Sequence, residues 1–179
     1  MQDVDQSKTV VVGVGNIIRS DDGLGVHALR RLLADPHAPQ DVAFVDGGTL
    51  GLELVSYVCE ASRLLLIDAV DIGQSPGTLI RMNGDELRSL PGAASVHQLG
   101  VADLIATLSL TSEEPPDIVL LGIQPASTDW GTRLTPKIEA ALGPLVAMAI
   151  AVLTSWSQED CGSAEAGARP LRTASNVLS

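Results

Sequence analysis

Short apolar runs rich in β-branched residues alternate along the chain with longer segments whose apolar residues recur at helical spacing. This alternation is typical of βα units around a mostly parallel sheet, and it predicts an α/β fold. The run at 63–68 is apolar almost throughout, which favours a central strand, whereas turn signals around 77–82 favour an edge strand. The predicted strands cover residues 9–14, 42–46, 63–68, 77–82 and 117–123.

Four helices are predicted from the helical spacing of apolar residues between and after these strands. They cover residues 22–33, the region around 51–58, residues 98–109 and residues 136 to about 156. Thr135 is the expected N-cap of the last helix, with Pro136 at its first position. Pro144 is expected to kink or split that helix, because proline removes a backbone donor and collides with the preceding turn.

The composition changes near residue 157 to Ser, Ala, Gly and Arg with few apolar anchors. Such a segment buries too little surface to offset the entropy lost on ordering. We therefore expect one domain over residues 1–156 and a disordered tail over 157–179. The total of 179 residues leaves no room for a second full domain.

The chain is acidic, with 22 Asp+Glu against 11 Lys+Arg and a formal net charge of -11. It has no basic cluster and only one Phe, one Tyr and two Trp, so we expect no nucleic-acid partner. The longest uninterrupted apolar run, at 145–153, is far shorter than the roughly 20 residues of a spanning helix, so we expect no membrane insertion. The polar N-terminus predicts a cytoplasmic protein.

The first predicted strand runs into Gly13-Val14-Gly15-Asn16 and then into Ser20-Asp21-Asp22-Gly23-Leu24-Gly25 at the start of a helix. The glycines suggest a dinucleotide site, but Ile18 stands at the third position of the G-x-G-x-x-G spacing. Two carboxylates also stand where a helix N-terminus would receive a pyrophosphate. These carboxylates suit the positive end of a helix dipole, as caps, and they suit a cation. Both roles stay open from this segment alone.

A second candidate carboxylate, Asp68, ends the third predicted strand. In a doubly wound sheet of order 2-1-3, strands one and three flank the crevice at their carboxyl ends. This topology brings Asp22 and Asp68 to one cleft. A third acid, Asp46 of Asp46-Gly47-Gly48-Thr49, ends strand two beside them. Capping of the following turn is the alternative role for an aspartate at a strand end.

One of the three histidines, His97, lies in Ala94-Ser95-Val96-His97-Gln98-Leu99-Gly100, a loop predicted to enter the third helix. His27, beside an apolar stripe, and His37, between two prolines, are expected to be structural. Two carboxylates and an imidazole in one crevice would bind a borderline divalent metal and leave positions open for substrate or water. A loop histidine is more commonly a cap or a surface residue, and that alternative stays open.

Several motifs, taken together and in order, resemble those of the hydrogenase maturation endopeptidases. They are Gly13-Val14-Gly15-Asn16, Asp21-Asp22-Gly23-Leu24-Gly25, Asp46-Gly47-Gly48-Thr49, Ile67-Asp68-Ala69 and Val96-His97-Gln98-Leu99-Gly100. The resemblance covers about residues 9–156 and includes Gly122-Ile123-Gln124-Pro125 and Leu134-Thr135-Pro136. Each motif alone is only weakly specific for this family, whereas all of the motifs together, in the same order and at the same spacing, are specific for it.

The resemblance implies a protease that trims a C-terminal peptide from the large-subunit precursor of a nickel-iron hydrogenase after nickel is loaded. It also implies a three-layer α/β/α fold with a five-stranded, mostly parallel mixed sheet of order 2-1-3-5-4, in which strand four is antiparallel. The metal-binding and catalytic positions of the family fall on Asp22, Asp68 and His97, with nickel supplied by the precursor. Many relatives carry Glu at the position of Asp22, and Asp21 is a fallback ligand. The ion would either polarise the scissile carbonyl or lower the pKa of a bound water.

Two other functions are consistent with parts of this pattern. A Rossmann-like nucleotide-binding enzyme is supported by Gly13, Gly15 and Asp46, although the acidic start of the first helix opposes it. A noncatalytic nickel chaperone would use the same three ligands as the protease. The first alternative predicts saturable binding of a dinucleotide, and the second predicts binding of the nickel-loaded precursor without cleavage.

Overall fold

The computed structural model describes the backbone of residues 9–88 and 96–166 and the side chains of residues 9–87 and 101–159. The strands are β1 (Thr9–Val14), β2 (Val42–Gly48), β3 (Arg63–Ala69), β4 (Leu79–Asn83) and β5 (Asp117–Ile123). The helices are α1 (Leu24–Leu33), α2 (Val55–Val58), α3 (Gly84–Arg88), α4 (Val96–Thr111) and α5 (Pro136–Ala166). Short 3-10 turns at Ser20–Gly23 and Gly51–Leu54 lead into α1 and α2.

The five strands form one sheet of order β2-β1-β3-β5-β4. Strands β1, β2, β3 and β5 run parallel, and β4 pairs antiparallel with β5 at the edge. This arrangement confirms the topology that the family resemblance implies. Val12 of β1 is paired with Leu66 of β3, so the carboxyl ends of these two strands lie side by side.

Two apolar cores, one on each face of the sheet, produce three layers. Side chains alternate across a strand, so neighbouring strand residues enter opposite cores. On one face α1 and α5 pack over residues such as Val11 and Leu65. On the other face α2, α3 and α4 pack over residues such as Val10 and Leu64. The predicted α/β/α class is confirmed.

Two of the shorter elements differ from the sequence prediction. The first helix begins at Leu24 rather than at residue 22, because residues 20–23 form a 3-10 turn. Helix α3 is missing from the prediction, which interprets the Asn83-Gly84 pair as a turn. The Asn83 side-chain oxygen accepts hydrogen bonds from the backbone amides of Asp85 and Glu86, at 3.1 and 2.9 Å, and so stabilises the start of α3.

The last helix departs from the prediction at Pro144 and at Trp156. It passes through Pro144 as one helix, so the predicted split is wrong. Ala140, whose carbonyl loses its helical partner, is exposed, as is Pro144, so water can satisfy that carbonyl. Helix α5 then continues to Ala166, so the disorder predicted from residue 157 is wrong for residues 157–166. The rest of the predicted tail, 167–179, lies outside the described residues.

Contacts with the start of β3 hold α5 beyond the predicted boundary. The Arg63 guanidinium donates to the Trp156 carbonyl oxygen and stacks over the Trp156 ring at 5.9 Å from its centroid. It also pairs with the Glu159 carboxylate at 3.1 Å. These partners are more than 90 residues from Arg63 in sequence, so helical spacing could not predict them.

Part of α5, Pro136–Glu159, is long and apolar enough to cross a membrane by length and composition, with a mean hydropathy of 1.8. One side of it is the predicted core stripe, and every residue of that stripe is buried. These residues are Ile138, Leu142, Leu145, Ala149, Val152 and Trp156. They pack against α1 and the sheet, so burial in the core accounts for much of the apolar character of the helix.

Candidate active site

A buried aspartate lies near the carboxyl end of β3, and another lies in the turn that follows β1. Asp68, near the end of β3, is 1% exposed, and its Oδ1 accepts a hydrogen bond from the Ala69 amide at 2.7 Å. Asp22 lies in the 3-10 turn after β1, is 6% exposed, and accepts a hydrogen bond from the Asn16 amide at 3.2 Å. The turn contacts β3, so the two acids lie on contacting segments at the edge of the sheet formed by the carboxyl ends of the parallel strands.

Two glycines allow the acid-bearing turn to approach the strand ends. Gly15 has a φ of 127°, and a Cβ there would collide with the Asp22 carbonyl oxygen. A Cβ on Gly25 would collide with the carbonyl oxygens of Ile67 and Val14. The space that these glycines provide is therefore occupied by the protein's own backbone and not by a phosphate, which argues against the dinucleotide site.

Asp21 has different surroundings from its neighbour Asp22. Its fully buried carboxylate accepts hydrogen bonds from the amides of Ala126, Ser127 and Thr135, at 2.9, 3.0 and 2.6 Å, and from the Thr135 hydroxyl at 3.0 Å. These four donors engage both oxygens and fix the segment before α5. These bonds argue against the suggestion that Asp21 is a fallback ligand, because a metal would have to displace bonds that hold the loop.

Helix α1 has no side-chain cap, so the simple capping role proposed for Asp21 and Asp22 is wrong. Both residues lie in the 3-10 turn that precedes the helix. Thr135, the predicted cap of α5, accepts the helical bond from the Glu139 amide at its carbonyl, at 2.9 Å. Thr135 also lies beside Asp21, because its amide and hydroxyl both donate to the Asp21 carboxylate. Asp21 thus connects the start of one helix to the start of another.

Asp46 lies at the same edge of the sheet but on the other side of β1 from Asp68. It is exposed and lies 3.8 Å from the guanidinium of the exposed Arg30, an ion pair that contributes little to stability. A small cavity of about 150 Å³ separates Asp46 from the loop after β1. Its lining includes Gly15, Asn16, Ile17, Gly48 and Thr49.

His97 lies in the first turn of α4, which begins at Val96 rather than at the predicted residue 98. The side chain of His97 lies outside the described side chains, so its predicted role as a ligand stays a prediction. Among the side chains that are described, no group of three His, Cys, Asp or Glu could hold a metal ion. Asp22 and Asp68 lie on contacting segments at the carboxyl ends of β1 and β3, and their role as metal ligands stays a prediction.

The other two histidines lie on α1 and beyond its C-terminal end. Burial lowers the pKa of His27, and the nearby Arg30 guanidinium lowers it further, so its neutral form is favoured. His37 is exposed, and its Nδ1 lies 2.9 Å from the Asp35 carboxylate. The His37 backbone amide, which donates to that carboxylate, lowers the pKa of Asp35.

Gln124, at the end of β5, has a role in positioning loops that its sequence motif alone does not reveal. Its buried side-chain oxygen accepts hydrogen bonds from the amides of Ile72 and Gln74, both at 3.0 Å, and its amide donates to the Asp71 carboxylate at 2.8 Å. These bonds fix the loop that follows Asp68. The sequence offered one signal for this role: Gln124 is a polar residue directly after a buried strand, and such a side chain needs hydrogen-bond partners.

The family model described as hydrogenase maturation protease matches residues 26–152, which is more than half of the chain. The chain belongs to the hydrogenase maturation protease family. Among relatives of this family, the hydrogenase expression/formation protein HupD of Bradyrhizobium diazoefficiens is 39% identical over 153 residues, which cover 84% of this chain and 80% of HupD. The hydrogenase 2 maturation protease of Escherichia coli is 34% identical over 148 residues, which cover 82% of this chain and 90% of that protein.

Solved structures of hydrogenase maturation proteases share the fold. The hydrogenase maturating endopeptidase HybD from E. coli matches with a TM-score of 0.74 and 31% identity, over 83% of this chain and 93% of HybD. The solution structure of an endopeptidase from E. coli matches with a TM-score of 0.76 and 34% identity, over the same shares of the two chains. The match confirms the family and the fold that the sequence motifs predict.

Proposed function

We propose that this protein is a cytoplasmic endopeptidase that removes a C-terminal peptide from the nickel-loaded large-subunit precursor of a nickel-iron hydrogenase. The observation that carries the proposal is the pair of buried carboxylates, Asp22 and Asp68, on contacting segments at the carboxyl ends of β1 and β3. This edge of an open α/β sheet is where such folds bind their ligands. Family membership supports the substrate class.

In this proposal the nickel arrives with the precursor and is held by Asp22, Asp68 and His97. Two carboxylates and one imidazole suit a borderline divalent ion. Helix α4 leads into the start of β5 and contacts the 3-10 turn after β2. This arrangement supports an α4 whose N-terminus, which carries His97, is directed to the carboxyl ends of the parallel strands, where the two acids lie. The bound ion would supply Lewis-acid activation of the scissile peptide. A precursor without nickel would lack the group that the site recognises.

The two alternative functions differ from this proposal in their physical requirements. A dinucleotide would need open space beside Gly15, yet the Asp22 backbone occupies it, and two acids border the position of the pyrophosphate. A noncatalytic nickel chaperone has the same donor set as the protease, so a cleavage assay must separate the two.

The test is to mix the purified protein with nickel-loaded and nickel-free precursor and to follow the size of the large subunit. We expect a shortened product from the loaded precursor only. Asp68→Asn should lower the cleavage rate by about 100-fold or more, since even supporting groups around a metal contribute 10- to 100-fold. The control Asp117→Asn changes an exposed aspartate at the opposite end of the sheet and should cleave normally. Binding without shortening would favour the chaperone, and equal cleavage of both precursors would contradict recognition of nickel.

A further inference from the structure

Two loops beside Asp22 are joined into one rigid surface, here named the Trp130 wall and defined as residues 17–20 and 127–131. The Ser20 amide donates to the Gly131 carbonyl at 2.8 Å, and the Gly131 amide donates to the Ile18 carbonyl at 3.0 Å. The Arg19 Nε donates to the Thr128 carbonyl at 3.0 Å. These bonds fix the wall from inside.

The wall is also anchored beneath the surface and carries local strain. Asp21 directly follows it, and its carboxylate accepts the amide of Ser127 within the wall. Ser20 has a φ of 46°, and it is the one residue other than glycine with a positive φ in the described part of the chain. Such conformations persist where surrounding contacts impose them, and they cluster at functional sites. The wall is therefore a preformed structure and not a loose pair of loops.

Large apolar side chains cover the outside of this wall. Ile17, Ile18 and Trp130 are 40%, 48% and 77% exposed. The Arg19 guanidinium stacks on the Trp130 ring at 5.6 Å from its centroid, and in the described part of the chain it has no carboxylate within ion-pair distance. Contiguous exposed apolar residues on a rigid surface mark interaction sites, and Trp and Arg are the residues that dominate binding energy at interfaces.

We infer that the Trp130 wall is the docking surface for the folded body of the large-subunit precursor, next to the segment that is cleaved. This inference rests on the proposed function. The first wall segment ends two residues before Asp22, and Ile17 also lines the cavity beside Asp46. The wall therefore adjoins the segment that carries Asp22, where the body of a bound precursor would lie. Arg19 forms no ion pair with any carboxylate in the described part of the chain, and this predicts a partner patch that combines apolar side chains with a carboxylate.

The test measures the dissociation constant and the cleavage kinetics of the nickel-loaded precursor with Trp130→Ala, Ile18→Ser and Arg19→Glu. Each variant should raise Kd and KM about 10-fold or more while kcat at saturating precursor stays within about twofold, because the wall binds substrate and transition state equally. Tyr57→Ala and Leu110→Ala are matched controls. These side chains are 54% and 87% exposed on α2 and at the end of α4, and their removal should change neither constant.

The outcomes separate this inference from the proposed function. If the wild-type protein fails to shorten the loaded precursor, the proposed function is wrong, and the dissociation constants still test the wall. Unchanged Kd and KM in all three wall variants, in proteins with wild-type melting temperatures, would overturn the inference. So would a wild-type dimer that Trp130→Ala converts to a monomer without any change in Kd, since the wall would then bind a second copy.

Discussion

Asp21 and Asp22 are neighbours in sequence, yet their carboxylates face different parts of the molecule. Asp21 is directed into the protein, where four donors from the segment 126–135 surround it. Asp22 lies at the strand-end crevice, where the turn contacts β3, and it accepts a hydrogen bond from Asn16 in the loop after β1. A buried carboxylate whose two oxygens are both engaged by hydrogen-bond donors is a structural anchor. A carboxylate on a ligand-binding edge is a candidate for chemistry.

The comparison shows that residue type and position in a motif do not determine a role, because the same motif holds both aspartates. The 3-10 turn makes the difference. It directs successive side chains to different sides, so one carboxylate reaches the loop before α5 while the next stays beside β3. The anchor also fixes the backbone from which the candidate ligand extends. The same substitution at the two positions should therefore affect different properties.

The largest effect is expected for Asp22→Asn on cleavage. The amide keeps an oxygen that accepts the Asn16 hydrogen bond but loses the negative charge that a cation needs. Cleavage of the nickel-loaded precursor should fall about 100-fold or more, with the melting temperature close to that of the wild type. The measurements are initial cleavage rates and thermal unfolding of the purified variant. A variant that cleaves at the wild-type rate would remove Asp22 from the site.

A smaller effect on cleavage, but a clear loss of stability, is expected for Asp21→Asn. An amide has one acceptor oxygen, so its NH2 group must face the Thr135 amide or the amides of Ala126 and Ser127. Loss of charge-assisted bonds in a buried site should cost about 2–4 kcal/mol of unfolding free energy. For a domain of this size that corresponds to a melting temperature lower by about 5–15 °C.

Cleavage by the folded fraction of Asp21→Asn should stay within about tenfold of the wild-type rate, since this residue is an anchor and not a ligand. Thermal unfolding and cleavage at a temperature well below the transition measure the two properties separately. A variant with wild-type stability and no cleavage would reverse the roles of the two aspartates. Asp117→Asn, at an exposed position, controls for the substitution itself.

Sheet topology explains how far the sequence could predict this site. Asp22 follows β1 and Asp68 lies near the end of β3, and these strands neighbour each other in a doubly wound sheet, so the placement of both acids at one edge follows from strand order. The role of Asp21 could not be predicted, because its donors lie 105 to 114 residues away in an irregular segment. Local patterns carry no information on such contacts. The order of the motifs along the chain could identify the family because that order reflects the whole fold rather than one local segment.

The last helix shows the same limit. Its apolar stripe predicted the buried face, because helical spacing is a local property. Its extent beyond Trp156 depends on Arg63, which donates from the start of β3 and pairs with Glu159. Its continuity through Pro144 depends on which side of the helix faces solvent. Both depend on the tertiary environment rather than on local preference.

The smallest effect on cleavage is expected for Asp22→Glu, with Asp21→Glu as its counterpart. Glutamate keeps the charge and extends the carboxylate by one methylene, about 1.5 Å. The precursor and its ion can adjust at the crevice, so Asp22→Glu should cleave within about tenfold of the wild-type rate. The buried pocket of Asp21, with donors at 2.6 to 3.0 Å, cannot shift as easily, so Asp21→Glu should lose about 1–3 kcal/mol of stability. If Asp22→Glu instead loses as much cleavage as Asp22→Asn, charge alone does not explain the role of Asp22. The length of the side chain must then matter as much for Asp22 at the crevice as it does for the buried Asp21.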